Sequence, residues 1–200
     1  MAKLLYSPAS PYSAKVRMAA SWLGLPVESE TVNTNDEPHL LVDNNPLGKI
    51  PTLILDDGSA LFDSRAIMQE FDRMSGRGLY PRNGQKRMEA ERLEALADGI
   101  TDALIAQIYE RRFRPEEKVH QPWLDMQARK MTRGLEWLNA NPPRVTSKLN
   151  GGQFATAAML GYLDLRFPDL NWRRGRPKLK RFEDRFAYAF PDYAKLRPQA

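Results

Sequence analysis

The chain has no cysteine. Disulfides, thiolate metal sites and thiol redox catalysis by the protein itself are therefore excluded, and any sulfur chemistry must use a bound thiol. Histidine is nearly as scarce. His39 and His120 are the two present, far apart and outside HExxH spacing, so a histidine metal site or a Ser-His-Asp hydrolase is poorly supplied. Both read as surface residues. Long apolar runs are missing too: the most apolar stretch, Phe154 to Leu165, is well short of the roughly 20 residues a membrane helix needs. No charged leader precedes an apolar core at the N-terminus, so a cytoplasmic protein without a membrane partner is expected.

With 200 residues and 42% hydrophobic content, the chain can bury a real core in one large or two small domains. Its 30 Lys and Arg against 25 Asp and Glu leave +5, a surplus that suits acidic small molecules or nucleic acid and selects neither. The densest basic stretch, Arg173 to Arg181, holds six Lys or Arg around Gly175 and Pro177 and lacks an RNA-binding or zinc-finger signature. It reads as a solvated turn and helix start, with no nucleic-acid partner.

Residues 3 to 7 form a short apolar strand ended by Pro8, and Ser13 to Leu23 then shows helical spacing through Val16, Ala19, Ala20 and Leu23, stopping at Gly24. Pro26 to Val32 supplies a second strand, parallel to the first because a helix joins them. Asn33 to Gly48 reads as irregular. Thr52 to Leu55 and Ala60 to Phe62 flank an Asp57-Gly58 turn, a hairpin signal, and Asp63-Ser64 opens a helix with Ile67, Met68 and Phe71 on its apolar face. The order to residue 75 is βαβ followed by ββα. Gly76 to Gly84 is a linker, and beyond it Lys86 to Arg112, Pro122 to Asn139 and Gly151 to Phe167 read as helices of an all-helical bundle.

The chemistry concentrates in three places. Ser10-Pro11-Tyr12-Ser13 lies between first strand and first helix, where free N–H groups and the positive dipole end favour an anion. Taken alone, these are ordinary capping residues. Ile50-Pro51 precedes the third strand and can be a cis bond. Asp63-Ser64 caps a helix whose N-terminus suits a carboxylate, while Asp63 can pair with an ammonium beside it.

The βαβ-ββα order resembles the thioredoxin fold, and Ser10-Pro11-Tyr12-Ser13 takes the place of the CPYC motif of glutaredoxins with both cysteines replaced by serine. The three segments, at spacings of about 40 and 13 residues and followed by a helical domain, resemble the cytosolic glutathione transferase family in its bacterial, serine-type form. Ala97 to Ala103 and Leu160 to Phe167 also look like stretches common in bacterial members. The resemblance implies an α/β thioredoxin-like domain over residues 1–78, an all-α domain over 86–200, a homodimer and a role in detoxification. It implies reduced glutathione as co-substrate, no metal, and attack of the glutathione thiolate on a small electrophile held against the helical domain.

Carried over residue by residue, Ser10 activates the thiol, the Ile50 backbone pairs with the cysteinyl unit beside cis Pro51, Lys49 meets the glycyl carboxylate, and Asp63 with Ser64 holds the γ-glutamyl end. Tyr6, Ser7 and Ser13 remain alternatives to Ser10 as the hydroxyl at sulfur. Tyr109, Arg111 and Arg114 are candidates for the electrophile pocket, with plain surface charge as the competing reading. Asp98 and Asp102, at i and i+4, either approach the partner subunit's glutathione or form an exposed polar face. The family also contains members that keep the fold as binding or interaction proteins without turnover, which stands as the alternative function.

One departure from the family concerns stability. Where a Ser or Thr capping box is usual, this chain reads Asn150-Gly151-Gly152-Gln153. Asn and Gln can still cap reciprocally, but two glycines in a first turn cost roughly 0.5 to 1 kcal/mol each relative to Ala.

Overall fold

The computed structural model describes residues 1–200. Its one sheet contains β1 (Ala2–Tyr6), β2 (Val27–Thr31), β3 (Thr52–Ile54) and β4 (Ala60–Leu61), in the order β2-β1-β3-β4. β1 and β2 are parallel, with Leu4 opposite Ser29, whereas β3 runs antiparallel to both β1 and β4. Helix α1 (Pro11–Leu23) joins the parallel pair, and α3 (Ser64–Met74) follows the hairpin. This is the thioredoxin-like βαβ-ββα arrangement that the sequence predicts. The segment from Asn33 to Gly48 is less irregular than expected, because it contains a short helix, α2 (His39–Val42).

That short helix explains why β1 reads as an apolar run rather than an alternation. Leu4 and Leu5 point to opposite sheet faces, and both are fully buried. Leu4 joins the main core with α1 and α3, while Leu5 packs with Val32 and Leu41 of α2 on the other face. Covered on both sides, the strand carries no polar face. On α3, Ile67, Met68 and Phe71 are fully buried, the face the helical spacing predicts.

The rest of the chain is helical: α4 (Gly84–Phe113), α5 (Gln121–Ala140), α6 (Gly151–Arg166), α7 (Pro177–Ala189) and α8 (Tyr193–Leu196). No helix is long and apolar enough to cross a membrane. The apolar stretch around Phe154 forms the middle of α6, which is buried from Gly151 through Leu163 and packs against α1, α4 and α7. A helix apolar all round belongs in such a place.

The start of α6 corrects the expectation of a weak helix end. Asn150 and Gln153 form a complete capping box, with Gln153 N–H donating to Asn150 Oδ1 at 3.1 Å and Asn150 N–H to Gln153 Oε1 at 2.7 Å. The glycines are there for close approach. A Cβ on Gly152 would lie 2.5 Å from the Ala90 carbonyl oxygen, and one on Gly151 would lie 2.7 Å from the Tyr80 ring.

The basic stretch is also less solvated than it reads. Arg173 is held by Asp164 at 2.7 Å and Glu183 at 2.8 Å, and Arg176 by Glu136 at 2.6 Å. Leu179, Phe182 and Phe186 anchor the following helix α7 in the core. Burial works against the Asp164 carboxylate, yet hydrogen bonds from Arg173, Arg197 and Trp172 hold it below the usual aspartate range.

Candidate active site

The turn after β1 is built by a cap. Ser10 adopts extended backbone geometry, Pro11 takes the first helical position, and Ser13 N–H donates to Ser10 Oγ at 3.2 Å. The first turn of α1 holds no acidic residue of its own to offset its positive end. Ser7 and Ser10 both line a cleft of about 1100 Å³ between the sheet and α4. Tyr6 and Ser13 are not among its lining residues. The Tyr6 ring is covered by the Arg17 guanidinium at 4.3 Å, and the Ser13 hydroxyl is fully buried.

The loop before β3 takes its shape from one buried amide. Asn45 Nδ2 donates to the Lys49 carbonyl at 2.8 Å and to Thr52 Oγ1 at 3.1 Å, while its Oδ1 accepts Leu47 N–H. Ile50–Pro51 is cis, and neither the N–H nor the C=O of Ile50 has a backbone partner. Lys49, Ile50 and Pro51 all line the cleft, with the Lys49 side chain exposed.

Asp63 is the N-cap of α3, accepting Arg65 N–H at 3.0 Å, and Ser64 is the buried first residue of that helix. The peptide bond preceding Asp63 is also cis. All six candidate residues, Ser10, Lys49, Ile50, Pro51, Asp63 and Ser64, therefore share one cleft.

The opposite wall is α4. Asp98, Asp102, Ile105 and Tyr109 line the cleft from that helix, joined by Arg112 and by Tyr162 and Arg166 of α6. Two expectations change here. Arg111 and Arg114 do not line the cleft, and Arg114 is paired with Glu110 at 2.9 Å; Arg112 takes their place. Asp98 is not on an exposed face either, being only 4% exposed. Because α1 covers this side of α4, Lys15 Nζ reaches Asp98 at 2.9 Å and Glu94 at 3.0 Å. Arg65 Nε adds a second cation to Asp98 at 2.9 Å, and the Tyr80 hydroxyl donates to Glu94.

Lys15 and Arg65 thus balance Glu94 and Asp98 one for one at the seam between the two walls. Sequence reading missed both cations. A lone lysine in an amphipathic helix carries no sign of burial, although its place at i−1 of the buried Val16 was a faint one. Nearby, the Tyr12 hydroxyl donates to Asp102. Burial first, then that bond and the charges of Asp102 and Asp98, push the Tyr12 phenol well above its ordinary range and keep it neutral. His39 and His120 are both exposed and away from the cleft.

Comparison with known proteins agrees with this fold. Residues 4–77 match the model of the glutathione S-transferase N-terminal domain. A glutathione S-transferase from Methylobacillus flagellatus KT, solved with glutathione bound, is 35% identical with a TM-score of 0.92, and each chain covers 100% of the other. A glutathione transferase family member from Pseudomonas fluorescens Pf-5 is 36% identical, also with 100% coverage of both chains and a TM-score of 0.92. It has been solved with bound glutathione and with S-(propanoic acid)-glutathione. The uncharacterized GST-like protein YibF of Escherichia coli K12 is 28% identical over 98% of both chains. Matched end to end at this level of identity, and in fold as well as in sequence, the chain belongs to the glutathione S-transferase family.

Proposed function

We propose that this chain is a glutathione transferase that binds reduced glutathione in the cleft, stabilises its thiolate through Ser10 and transfers it to a small electrophile. The observation that carries the reading is the bonding of Ser10. Its oxygen accepts the Ser13 N–H, which leaves its own O–H free to donate into the cleft. The Ile50 backbone, without an internal partner, suits the cysteinyl unit of a bound peptide as a strand edge suits an added strand. Asp63 and Ser64 at the start of α3 suit the ammonium and carboxylate of the γ-glutamyl end, and Lys49 the glycyl carboxylate.

The chemistry is bounded by simple magnitudes. A free thiol with a pKa near 8.5 is only about 3% ionised at pH 7. A hydroxyl donating to the thiolate contributes roughly 1.5 to 3 kcal/mol, and a helix N-terminus about 0.3 to 1. Together these lower the thiol by about two pKa units and raise the thiolate fraction to roughly three-quarters, a gain of about 25-fold. Any larger acceleration comes from holding the electrophile near sulfur. In transfer to an aryl halide the thiol proton goes to solvent, sulfur bonds to the ring carbon, and halide leaves with its bonding pair. The S-(propanoic acid)-glutathione held by the Pseudomonas relative, a thioether of glutathione, supports transfer to carbon.

The same reading assigns residues 1–78 to glutathione and 86–200 to the electrophile, in a cytoplasmic homodimer. Calorimetry with glutathione and turnover of 1-chloro-2,4-dinitrobenzene test it. Glutathione binding in the micromolar to millimolar range is expected, and Ser10→Ala lowers kcat/KM by about 10-fold or more, the loss of one charge-assisted hydrogen bond, with glutathione affinity kept within a few-fold. No heat at millimolar glutathione sinks the transferase reading in favour of a module that has kept only the fold. Equal turnover by parent and variant removes Ser10 from its role.

A further inference from the structure

The helical wall of the cleft changes character along its length. Asp98, Asp102, Ile105, Tyr109 and Arg112 follow one another at alternating spacings of four and three, so they form one stripe on α4 facing the cleft. At its acidic end the charge is already satisfied: Lys15 and Arg65 hold Asp98, and Tyr12 donates to Asp102. Beyond the apolar stretch at Ile105, about 15 Å along the axis from Asp102, the stripe ends on Arg112.

Arg166, the last residue of α6, lies at the same end of the cleft, and the buried Tyr162 feels the positive charge of both arginines. Neither Arg112 nor Arg166 enters an ion pair, unlike Arg114 two residues on from the first and Arg173 in the turn after α6. Two unpaired guanidiniums therefore converge on one end of a cavity whose nearer wall is apolar and aromatic. Both arginines belong to the helical wall, with Ile105, Tyr109 and Tyr162, whereas Lys49 belongs to the sheet domain, so they address the second substrate rather than glutathione.

We propose that Arg112 and Arg166 form an anion subsite that selects electrophiles bearing a carboxylate, or a group of like charge, on the side remote from the reacting carbon. The inference rests on the transferase reading and narrows its substrate class. The guanidiniums provide the charge-assisted bonds, and Ile105, Tyr109 and Tyr162 provide the apolar slot for the body of the molecule. Helix C-termini also favour arginine for the sake of the helix itself. A purely structural role would change melting temperature and leave substrate preference alone.

The test uses a matched pair, 4-chloro-3,5-dinitrobenzoate and its methyl ester, each corrected for its uncatalysed rate with glutathione. The parent should favour the benzoate in kcat/KM by about ten-fold, the scale of one charge-assisted hydrogen bond. Arg112→Gln with Arg166→Gln should abolish that preference, chiefly through KM for the halide, while the KM for glutathione stays the same. Arg111→Gln, outside the cleft, should behave as the parent does. Calorimetry with the two S-aryl glutathione conjugates, acid and ester, supplies a readout that does not need turnover. A preference for the acid conjugate in a protein that turns over neither halide supports the subsite and removes the transferase reading instead. Equal affinity for the two conjugates, a preference that survives in the double variant, or an equal loss of glutathione affinity overturns the subsite.

Discussion

On the sheet side of the cleft, Ser10, Ile50 and Asp63 offer cap oxygens and backbone groups, whereas on the helical side Ile105, Tyr109 and Arg112 offer side chains strung along one helix. The first set is positioned by local geometry: a cap before a proline, an amide-braced loop, a second cap. The second is positioned by packing, since α4 can turn its stripe to the cleft only while α5 and α6 hold its other faces. One wall is thus specified within a few residues and the other across the whole chain. A wall of the first kind suits a constant ligand, and one of the second kind can be retuned by single substitutions without disturbing its opposite.

The comparison is tested most severely where the walls meet. Lys15 is 1% exposed and shared by Glu94 and Asp98, so Lys15→Met leaves the buried Asp98 with Arg65 alone and the buried Glu94 with no ion-pair partner. Breaking a buried pair by removing one partner costs about 3 to 5 kcal/mol. Urea denaturation at pH 7 should show a loss of that size, and both glutathione binding and turnover should fall together. A loss under about 1 kcal/mol, on the scale of exposed pairs, would show that the two walls hold together by apolar packing alone.

This seam is also where the sequence was least readable. Ser10, Pro51 and Asp63 stand out because a cap or a turn depends on its immediate neighbours, and the strand–helix order that surrounds them follows from periods of 2.0 and 3.6. Lys15 and Arg65 look like any charges on amphipathic helices, and their partners lie 79 to 83 and 33 positions away. Asp98 reads as facing either the partner subunit or solvent for the same reason. The glycines of α6 read as a cost to that helix, and only the nearby Ala90 carbonyl and Tyr80 ring reveal why no side chain fits. Caps and turns were legible from their neighbours, whereas contacts made by distant residues were not.

A smaller effect separates the walls. Gly152→Ala places a methyl group 2.5 Å from the Ala90 carbonyl oxygen and 2.8 Å from Leu93 Cβ, so α6 must move away from α4. Overpacking of this kind costs about 1 to 3 kcal/mol. The displacement shifts Tyr162 and Arg166 relative to Tyr109 and Arg112; α6 also packs against α1, but Ser10 and Ile50 keep the cap and loop bonds that place them locally. Thermal melting should drop and KM for the electrophile rise, while calorimetry with glutathione stays close to the parent. A matching loss of glutathione affinity would show that the two walls are not independently specified.

The smallest expected effect belongs to Tyr12, the uncharged side chain of the α1 turn that bonds across to Asp102 of α4. Tyr12→Phe removes a hydrogen bond from a partly exposed pair, which costs about 1 kcal/mol near neutral pH. Its pH dependence carries the sharper information. The folded phenol is held well above the usual tyrosine range, by burial first and by Asp102 second, whereas in the unfolded chain it ionises near pH 10. Below about pH 10 both states keep the proton, and the contribution is fully present. As pH rises past that point the unfolded state releases its proton while the folded state retains it, so stability falls with increasing pH. Tyr80 and Tyr193 are shifted the same way, but they are common to parent and variant, and the difference between the two denaturation curves from pH 8 to 11 isolates Tyr12. That difference should be flat to about pH 10 and then shrink. A difference that stays constant to pH 11 would mean that the phenol ionises alike folded and unfolded, leaving Lys15 and Arg65 to join the walls.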